Sequence, residues 1–165
     1  MSEKQKIRLL FVCLGNICRS PLAEIVVKDV ATRRGLHHYH IESAGTGDWH
    51  VGGPADPRSA SKAKEKGLDL SRHRAQQITA HNCHKWDWLI AMDADNRRNL
   101  LLMGVPESRI LMMRQFENPV NIPDVPDPYY GGAHGFEDAY LMLVGNAEAL
   151  LDHLESQRED SNPRR

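Results

Sequence analysis

The chain has 165 residues, of which 41% are hydrophobic and 26% are charged. This balance is typical of one folded globular domain and argues against a disordered, fibrous or membrane-embedded chain. The formal net charge of −1 provides no general attraction to nucleic acids or to anionic membrane surfaces, so neither is expected as a partner.

The first predicted element follows a short polar extension, residues 1–6. The apolar run from Ile7 to Val12 is too short for a signal-peptide core or a membrane span, and it suits a strand buried on both faces of a parallel sheet. The chain has three cysteines, an odd number without the spacing of a secreted disulfide scaffold. We therefore expect a cytoplasmic protein with reduced thiols.

The segments after this strand alternate between helices and strands. In chain order they are a helix from Pro21 until Gly35, a strand at 39–44, a helix at 57–66, a strand at 86–92, a helix at 95–103, a short strand at 109–113 and an amphipathic helix at 136–154.

This alternation predicts a single α/β domain over residues 7–156: a four-stranded, doubly wound parallel sheet of strand order 2-1-3-4, flanked by helices. The tail at 157–165 is expected to be disordered. In such sheets ligands bind beyond the carboxyl ends of the strands. The loops that follow the four strands should therefore converge on one site.

The loop after the first strand contains a cysteine, five further residues and an arginine, Cys13 to Arg19. That spacing alone carries little information, but here it joins the end of a buried strand to the start of a helix. Backbone N–H groups in such a loop can surround one tetrahedral anion. Gly15 and Asn16 accept the positive φ angles that a tight loop requires. Arg19 adds paired hydrogen bonds to phosphate oxygens.

A thiol at the start of a helix beside cationic groups is readily deprotonated, so Cys13 is predicted to be a thiolate that receives a hydrogen bond from Ser20. The predicted reaction is in-line attack on a phosphate monoester, followed by hydrolysis of a phosphocysteine intermediate. The competing interpretation is structural, with Cys13 and Cys18 as small buried hydrophobes and Ser20 as a helix cap. For Cys18, a core position and a reversible disulfide with Cys13 both stay open.

The leaving oxygen of such a reaction needs a proton from a separate carboxylic acid. The proline-rich loop offers Asp127 and, as its competitor, Asp124. Either aspartate can also serve only in a turn, and the residues alone leave this choice open. Tyr129 and Tyr130 follow Asp127 and could pack in the core or at a rim, or form an aromatic wall for a flat substrate side chain.

Two motifs carry a resemblance to the low-molecular-weight protein tyrosine phosphatase family over roughly residues 7–155. They are V-C-x-G-N-x-C-R-S-P, present at Val12 to Pro21, and D-P-Y-Y, present at Asp127 to Tyr130. The resemblance implies the following roles: Cys13 as nucleophile, Arg19 as phosphate clamp, Ser20 as activator of the thiolate leaving group, Asp127 rather than Asp124 as acid and then base, and Leu14, Gly15, Asn16, Ile17 and Cys18 as the rest of the phosphate-binding loop.

The resemblance extends to residues outside these motifs. It implies that Ser43 and His73 brace the phosphate loop together with Asn16, that Asp93 orients Arg19, and that Trp49 lines the substrate groove with Tyr129 and Tyr130. It also implies a metal-independent enzyme without a cofactor, because Arg19 and the backbone amides neutralise the phosphate charge. We expect a monomer that acts on phosphotyrosine-containing proteins or peptides.

The other histidines have no metal-ligand spacing, and we expect solvated surface positions for His37, His38, His40, His50, His81 and His84.

Three rival functions fit the same loop. Thioredoxin-coupled arsenate reductases use two further cysteines, and here Cys83 has no cysteine after it. Protein arginine phosphatases characteristically have threonine where this chain has Ile17, and the larger apolar side chain favours a flat phenol. A phosphopeptide-binding module without turnover would be expected to lack Cys13 or Asp127, and both are present.

Overall fold

The computed structural model describes residues 6–130, 132 and 134–160, with the side chains of residues 130, 159 and 160 left aside. The main elements, in chain order, are β1 (Ile7–Cys13), α1 (Arg19–Arg33), β2 (Tyr39–Gly45), α2 (Pro57–Glu65), β3 (Trp88–Ala91), α3 (Ala94–Leu102), β4 (Ile110–Met112) and α4 (Gly135–Asp160). Short 3₁₀ turns lie at Cys83–Lys85, Glu107–Arg109 and Pro128–Tyr130.

The four strands form one parallel sheet in the order β2-β1-β3-β4. The prediction of a doubly wound sheet with strand order 2-1-3-4 is confirmed. The register aligns Cys13 at the end of β1 with Gly45 at the end of β2, and aligns Ala91 of β3 with Met112 of β4. The loops that carry the predicted site residues therefore leave the sheet at the same edge.

The central strand β1 is buried on both faces, as its continuous apolar sequence predicts. Leu9 and Phe11 belong to one core cluster, and Leu10 and Val12 belong to the other. Burial of each such side chain stabilises the fold by about 1.5 to 3 kcal/mol. Helices α1, α2 and α4 cover the first cluster and α3 covers the second. Within the described residues, no helix is both long enough and apolar enough to cross a membrane.

The last helix is longer than predicted, because α4 continues to Asp160 and includes residues 157–160 of the predicted tail. Its apolar stripe ends at Leu154, but the following residues favour helix, and Arg158 pairs with Glu155 one turn earlier at 2.8 Å. The prediction of a disordered tail is therefore wrong for residues 157–160. Residues 161–165 and residues 1–5 of the predicted extension lie outside the described part of the chain.

Candidate active site

The loop between β1 and α1 contains one residue in the left-handed region, Asn16, with φ of 58°. Asparagine tolerates this region because its short polar side chain can form local hydrogen bonds. Gly15 was predicted to share this role, but its φ does not lie in this region. A Cβ atom at Gly15 would lie 3.1 Å from Cδ2 of His50, which packs against the loop.

Cys13 is buried at the end of β1, and two polar groups contact its sulfur. The Ser20 hydroxyl lies 3.0 Å from Sγ, and the backbone N–H of Asn16 donates to Sγ at 3.3 Å. The side-chain amide of Asn16 also donates to Ser20 Oγ at 2.8 Å. Because that bond uses the serine oxygen as an acceptor, the serine proton can be donated to the sulfur at 3.0 Å or to the backbone oxygen of Ala44 at 3.4 Å. This arrangement suits a thiolate.

The buried side chain of Asn16 holds the loop in this shape. Its amide nitrogen also donates to Ser43 Oγ of β2 at 3.0 Å, and its oxygen accepts from the backbone N–H of Gln76 at 2.9 Å. Because the N–H group of Gln76 can only donate, its contact identifies the amide oxygen, and hence the direction of the bond to Ser20. The structure thus brings Asn16, Ser20 and Ser43 together. The contribution of Gln76 was not predicted, since a backbone donor leaves no signal in the sequence.

Two further contacts brace the loop from outside. His73 Nε2 lies 2.7 Å from the backbone oxygen of Asn16, and Ser43 Oγ donates to Glu24 Oε1 of α1 at 2.7 Å. His73 lies where the family resemblance implied. Glu24 was missed, because on the helix it is indistinguishable from an ordinary surface glutamate.

Arg19 is buried at the start of α1 and is held by the protein through one nitrogen. That nitrogen, NH1, donates to Asp93 Oδ2 at 2.6 Å and to the backbone oxygen of Val125 at 3.0 Å. Burial lowers the pKa of Arg19, but the charge of Cys13 and the hydrogen bond to Asp93 oppose this effect and the net pKa is raised. The guanidinium therefore stays charged in the site.

Asp93 is itself fixed, because it caps α3 and accepts from the backbone N–H of Asn96 at 2.8 Å. The helix N-terminus thus orients the carboxylate that orients Arg19.

The two candidate acids occupy different places. Asp124 accepts from the backbone N–H of Ala94 at 3.0 Å, at the start of α3. Asp127 reaches the site, with Oδ2 3.7 Å from Arg19 NH2. Its other oxygen accepts from the backbone N–H of Tyr129 at 3.0 Å. The turn role and the proposed acid role are therefore compatible, since one oxygen forms the turn and the other lies near the guanidinium.

These residues surround a cavity of about 430 Å³. Its walls are formed by Cys13, Leu14, Gly15, Ile17, Cys18, Arg19, Trp49, His50, Asp127 and Tyr129. His50 was expected to be an ordinary surface residue, yet it lines the cavity. Its position directly after Trp49 is the only sequence signal for this role. The side chain of Tyr130 lies outside what the structure describes.

All three cysteines are free thiols. Cys18 is buried in the cavity wall, and burial together with the charge of Asp56 raises its pKa. Cys18 is therefore a protonated thiol beside the phosphate loop. Cys83 packs in the core cluster on the opposite face of the sheet from Cys13, and it does not line the cavity.

Among residues 6–130, 132 and 134–160, no three histidine, cysteine, aspartate or glutamate side chains are grouped closely enough to hold a metal ion. Arg19 lines the cavity, and its charged guanidinium can bind an anion there.

Comparison with known proteins gives consistent matches along the chain. The family model described as low molecular weight phosphotyrosine protein phosphatase matches residues 8–160. A Schizosaccharomyces pombe protein of that name is 38% identical over an aligned length of 151 residues, and the alignment covers 89% of this chain and 96% of that protein. The crystal structure of a protein tyrosine phosphatase from Entamoeba histolytica has a TM-score of 0.85 at 38% identity and covers 93% of this chain and 99% of that one.

A third match has a different substrate in its name. The crystal structure of DARP, a drosophila arginine phosphatase, has a TM-score of 0.81 at 31% identity and covers 90% of this chain and 98% of that chain.

Proposed function

Since the chain belongs to the low molecular weight phosphotyrosine protein phosphatase family and is a hydrolase, we propose that it hydrolyses phosphotyrosine and small aryl phosphates with Cys13 as the nucleophile. One observation carries this assignment to residues. The sulfur of Cys13 contacts the Ser20 hydroxyl and the Asn16 N–H group, in a cavity whose wall also holds Arg19 and Asp127.

The proposed reaction has two steps. The loop N–H groups and Arg19 bind the phosphate oxygens, and the thiolate of Cys13 attacks phosphorus from the side opposite the leaving oxygen. The S–P bond forms while the P–O bond breaks, and Asp127 gives its proton to the departing phenol oxygen. In the second step Asp127 removes a proton from water, which attacks phosphorus. The thiolate then leaves, with the Ser20 hydroxyl as its hydrogen-bond donor.

The cavity walls support an aryl substrate. Trp49, Tyr129 and Ile17 line the cavity around the phosphate loop, and flat aromatic rings favour stacking on such surfaces. The arsenate reductase alternative is not favoured, because Cys83 lies on the other face of the sheet and no cysteine follows it. The arginine phosphatase alternative is not favoured either, but it shares the fold and belongs in the test.

The substrate is tested with one peptide sequence phosphorylated on tyrosine, arginine or serine. We expect kcat/KM for the phosphotyrosine peptide to exceed the other two by at least about 100-fold, since the phosphoserine side chain is too short to bring its phosphate to the loop. Faster release from phosphoarginine would contradict the assignment. Arsenate reduction with thioredoxin is the parallel assay, and we expect none.

The same experiment separates an enzyme from a binding module. Cys13→Ser is the control, and it should bind phosphate without turnover. If the native protein also binds phosphate but releases none from any peptide, the enzyme assignment fails.

Three further properties belong to this proposal. Three free thiols, one of them the nucleophile, suit a reducing compartment such as the cytoplasm. The charge on the phosphate is balanced by Arg19 and the loop amides, which supports a metal-independent reaction. The site is complete within one chain, which supports a monomer. Turnover in the presence of a chelator tests the metal-independent reaction, and light scattering tests the monomer.

A further inference from the structure

A second hollow, of about 370 Å³, opens beside the catalytic cavity on the side of α3. Its walls are formed by Leu14, Thr46, Gly47, Trp49, Asn99, Leu102 and Met103. Leu14 and Trp49 also line the catalytic cavity, so the two spaces share a rim. A group bound in the cavity would have this hollow as its immediate neighbour.

The walls of this hollow expose more apolar surface than scattered single residues do. Leu102, the last residue of α3, is 77% exposed, Trp49 is 69% exposed and Leu14 is 38% exposed. Isolated exposed apolar side chains are ordinary in soluble proteins, and Leu141 on α4 is one example, exposed at 54%. Here three of them, from a helix end and two different loops, meet at one place. Such convergence marks a binding surface.

The indole of Trp49 lies against the backbone at Gly47, although most of it is exposed. A Cβ atom at position 47 would be 1.7 Å from Cζ3 of the indole, so only glycine allows the ring to take this place. The ring therefore forms the wall that the catalytic cavity and the hollow share.

We propose that this hollow is a subsite for a large apolar side chain of the substrate, close in sequence to the phosphotyrosine. The inference rests on the proposed function, because it requires phosphotyrosine in the catalytic cavity. A peptide anchored there must leave the cavity across its rim. An extended chain advances about 3.3 Å per residue, so side chains within about three residues of the phosphotyrosine can reach the hollow. Its volume of about 370 Å³ leaves room for a side chain as large as leucine or phenylalanine.

The hollow on the side of α3 shares its rim with the catalytic cavity, so the group that occupies it is a side chain of the substrate bound in that cavity. A hollow on the other side of Trp49 also borders the catalytic cavity, but its walls include the charged side chain of Asp56. The hollow on the side of α3 has no charged side chain in its walls, and four of its seven lining residues are leucine, methionine or tryptophan. The expected preference is therefore for one apolar residue on one side of the phosphotyrosine.

The test compares phosphotyrosine peptides that are identical except for leucine or serine at one flanking position, with positions scanned on both sides. With the native protein, we expect kcat/KM for the leucine peptide to exceed that for the serine peptide by about fivefold at one or two positions, equivalent to about 1 kcal/mol. Leu102→Ser should bring this ratio close to one. Leu141→Ser removes a leucine that is also more than half exposed but lies outside the hollow, and the ratio should stay near fivefold.

Each result bears on a distinct claim. A ratio near one at every position in the native protein overturns the subsite, as does a preference that survives in Leu102→Ser or disappears in Leu141→Ser. In all of these cases phosphotyrosine is still hydrolysed and the proposed function stands. If the native protein hydrolyses neither the peptides nor an aryl phosphate, the proposed function fails and the subsite fails with it.

Discussion

Replacing Asn16 with alanine tests whether this one side chain holds the phosphate loop. The buried amide forms three hydrogen bonds, to Ser20, Ser43 and the Gln76 N–H group. Each such bond contributes about 1 kcal/mol net. Alanine at a φ of 58° adds about 1 kcal/mol of backbone strain. The free energy of unfolding of Asn16→Ala should therefore fall by about 4 kcal/mol.

The assay is urea denaturation of the native protein and two variants. Asn16→Gly is the matched control, because it loses the same hydrogen bonds but tolerates the left-handed backbone. We expect it to be more stable than Asn16→Ala by about 1 kcal/mol. Both variants should keep the native slope of stability against urea, since the fold itself is unchanged.

Turnover should fall with stability in both variants. Without the Asn16 amide the serine hydroxyl loses the donor that orients it beside Cys13, so kcat should decrease by about tenfold or more. A stability loss below about 1 kcal/mol in Asn16→Ala, with native turnover, would refute this account of the loop.

Three other changes give separate predictions. Arg19→Lys should lower kcat/KM by about 100-fold, because lysine has no planar fork to contact both protein and phosphate; a loss under about threefold contradicts the clamp role. Asp127→Asn should slow esters with poor leaving groups by about 100-fold and activated aryl phosphates far less, and an equal loss for both counts against an acid. Although burial raises the pKa of Glu155, hydrogen bonds from Arg158 and Tyr39 lower it to about 2. The folded-state pKa lies below the unfolded one, so this carboxylate stabilises the fold above pH of about 4.5 and progressively less towards pH 2. Glu155→Gln should lower the free energy of unfolding by about 1 to 2 kcal/mol in urea denaturation at pH 7. If the difference in unfolding free energy between the native protein and this variant does not narrow below pH of about 4.5, the account is contradicted.

The fold could be predicted because its signals are local and repeated. The run Ile7 to Val12 is apolar at nearly every position, which only a strand buried on both faces requires, and glycines follow the first three predicted helices. The end of α4 could not be placed this way. Beyond Leu154 no apolar side chain marks the helix, and its continuation depends on helix propensity and on side-chain pairs such as Glu155 with Arg158.

The site was predictable where chemistry demands a particular side chain. Cys13 and Arg19 were predicted from their place between a buried strand and a helix, Asp127 was predicted from the family resemblance, and the structure places all three at one cavity. Residues whose role depends on where the fold places them, rather than on a distinctive side chain, were not predicted. Gln76 contributes a backbone N–H group and Glu24 accepts from Ser43 across α1 and β2, and neither relation has a signature in a single sequence.

The identity of the nucleophile is tested most directly by trapping the intermediate. Asp127→Ala lacks the base for the second step, so rapid mixing with an activated aryl phosphate and acid quenching should accumulate phosphoenzyme. Peptide mass spectrometry should then place one phosphoryl group on Cys13, and the same experiment with Cys13→Ser should give no phosphothiol. A phosphoryl group on another residue during native turnover, or turnover retained in Cys13→Ser, would contradict the role of Cys13.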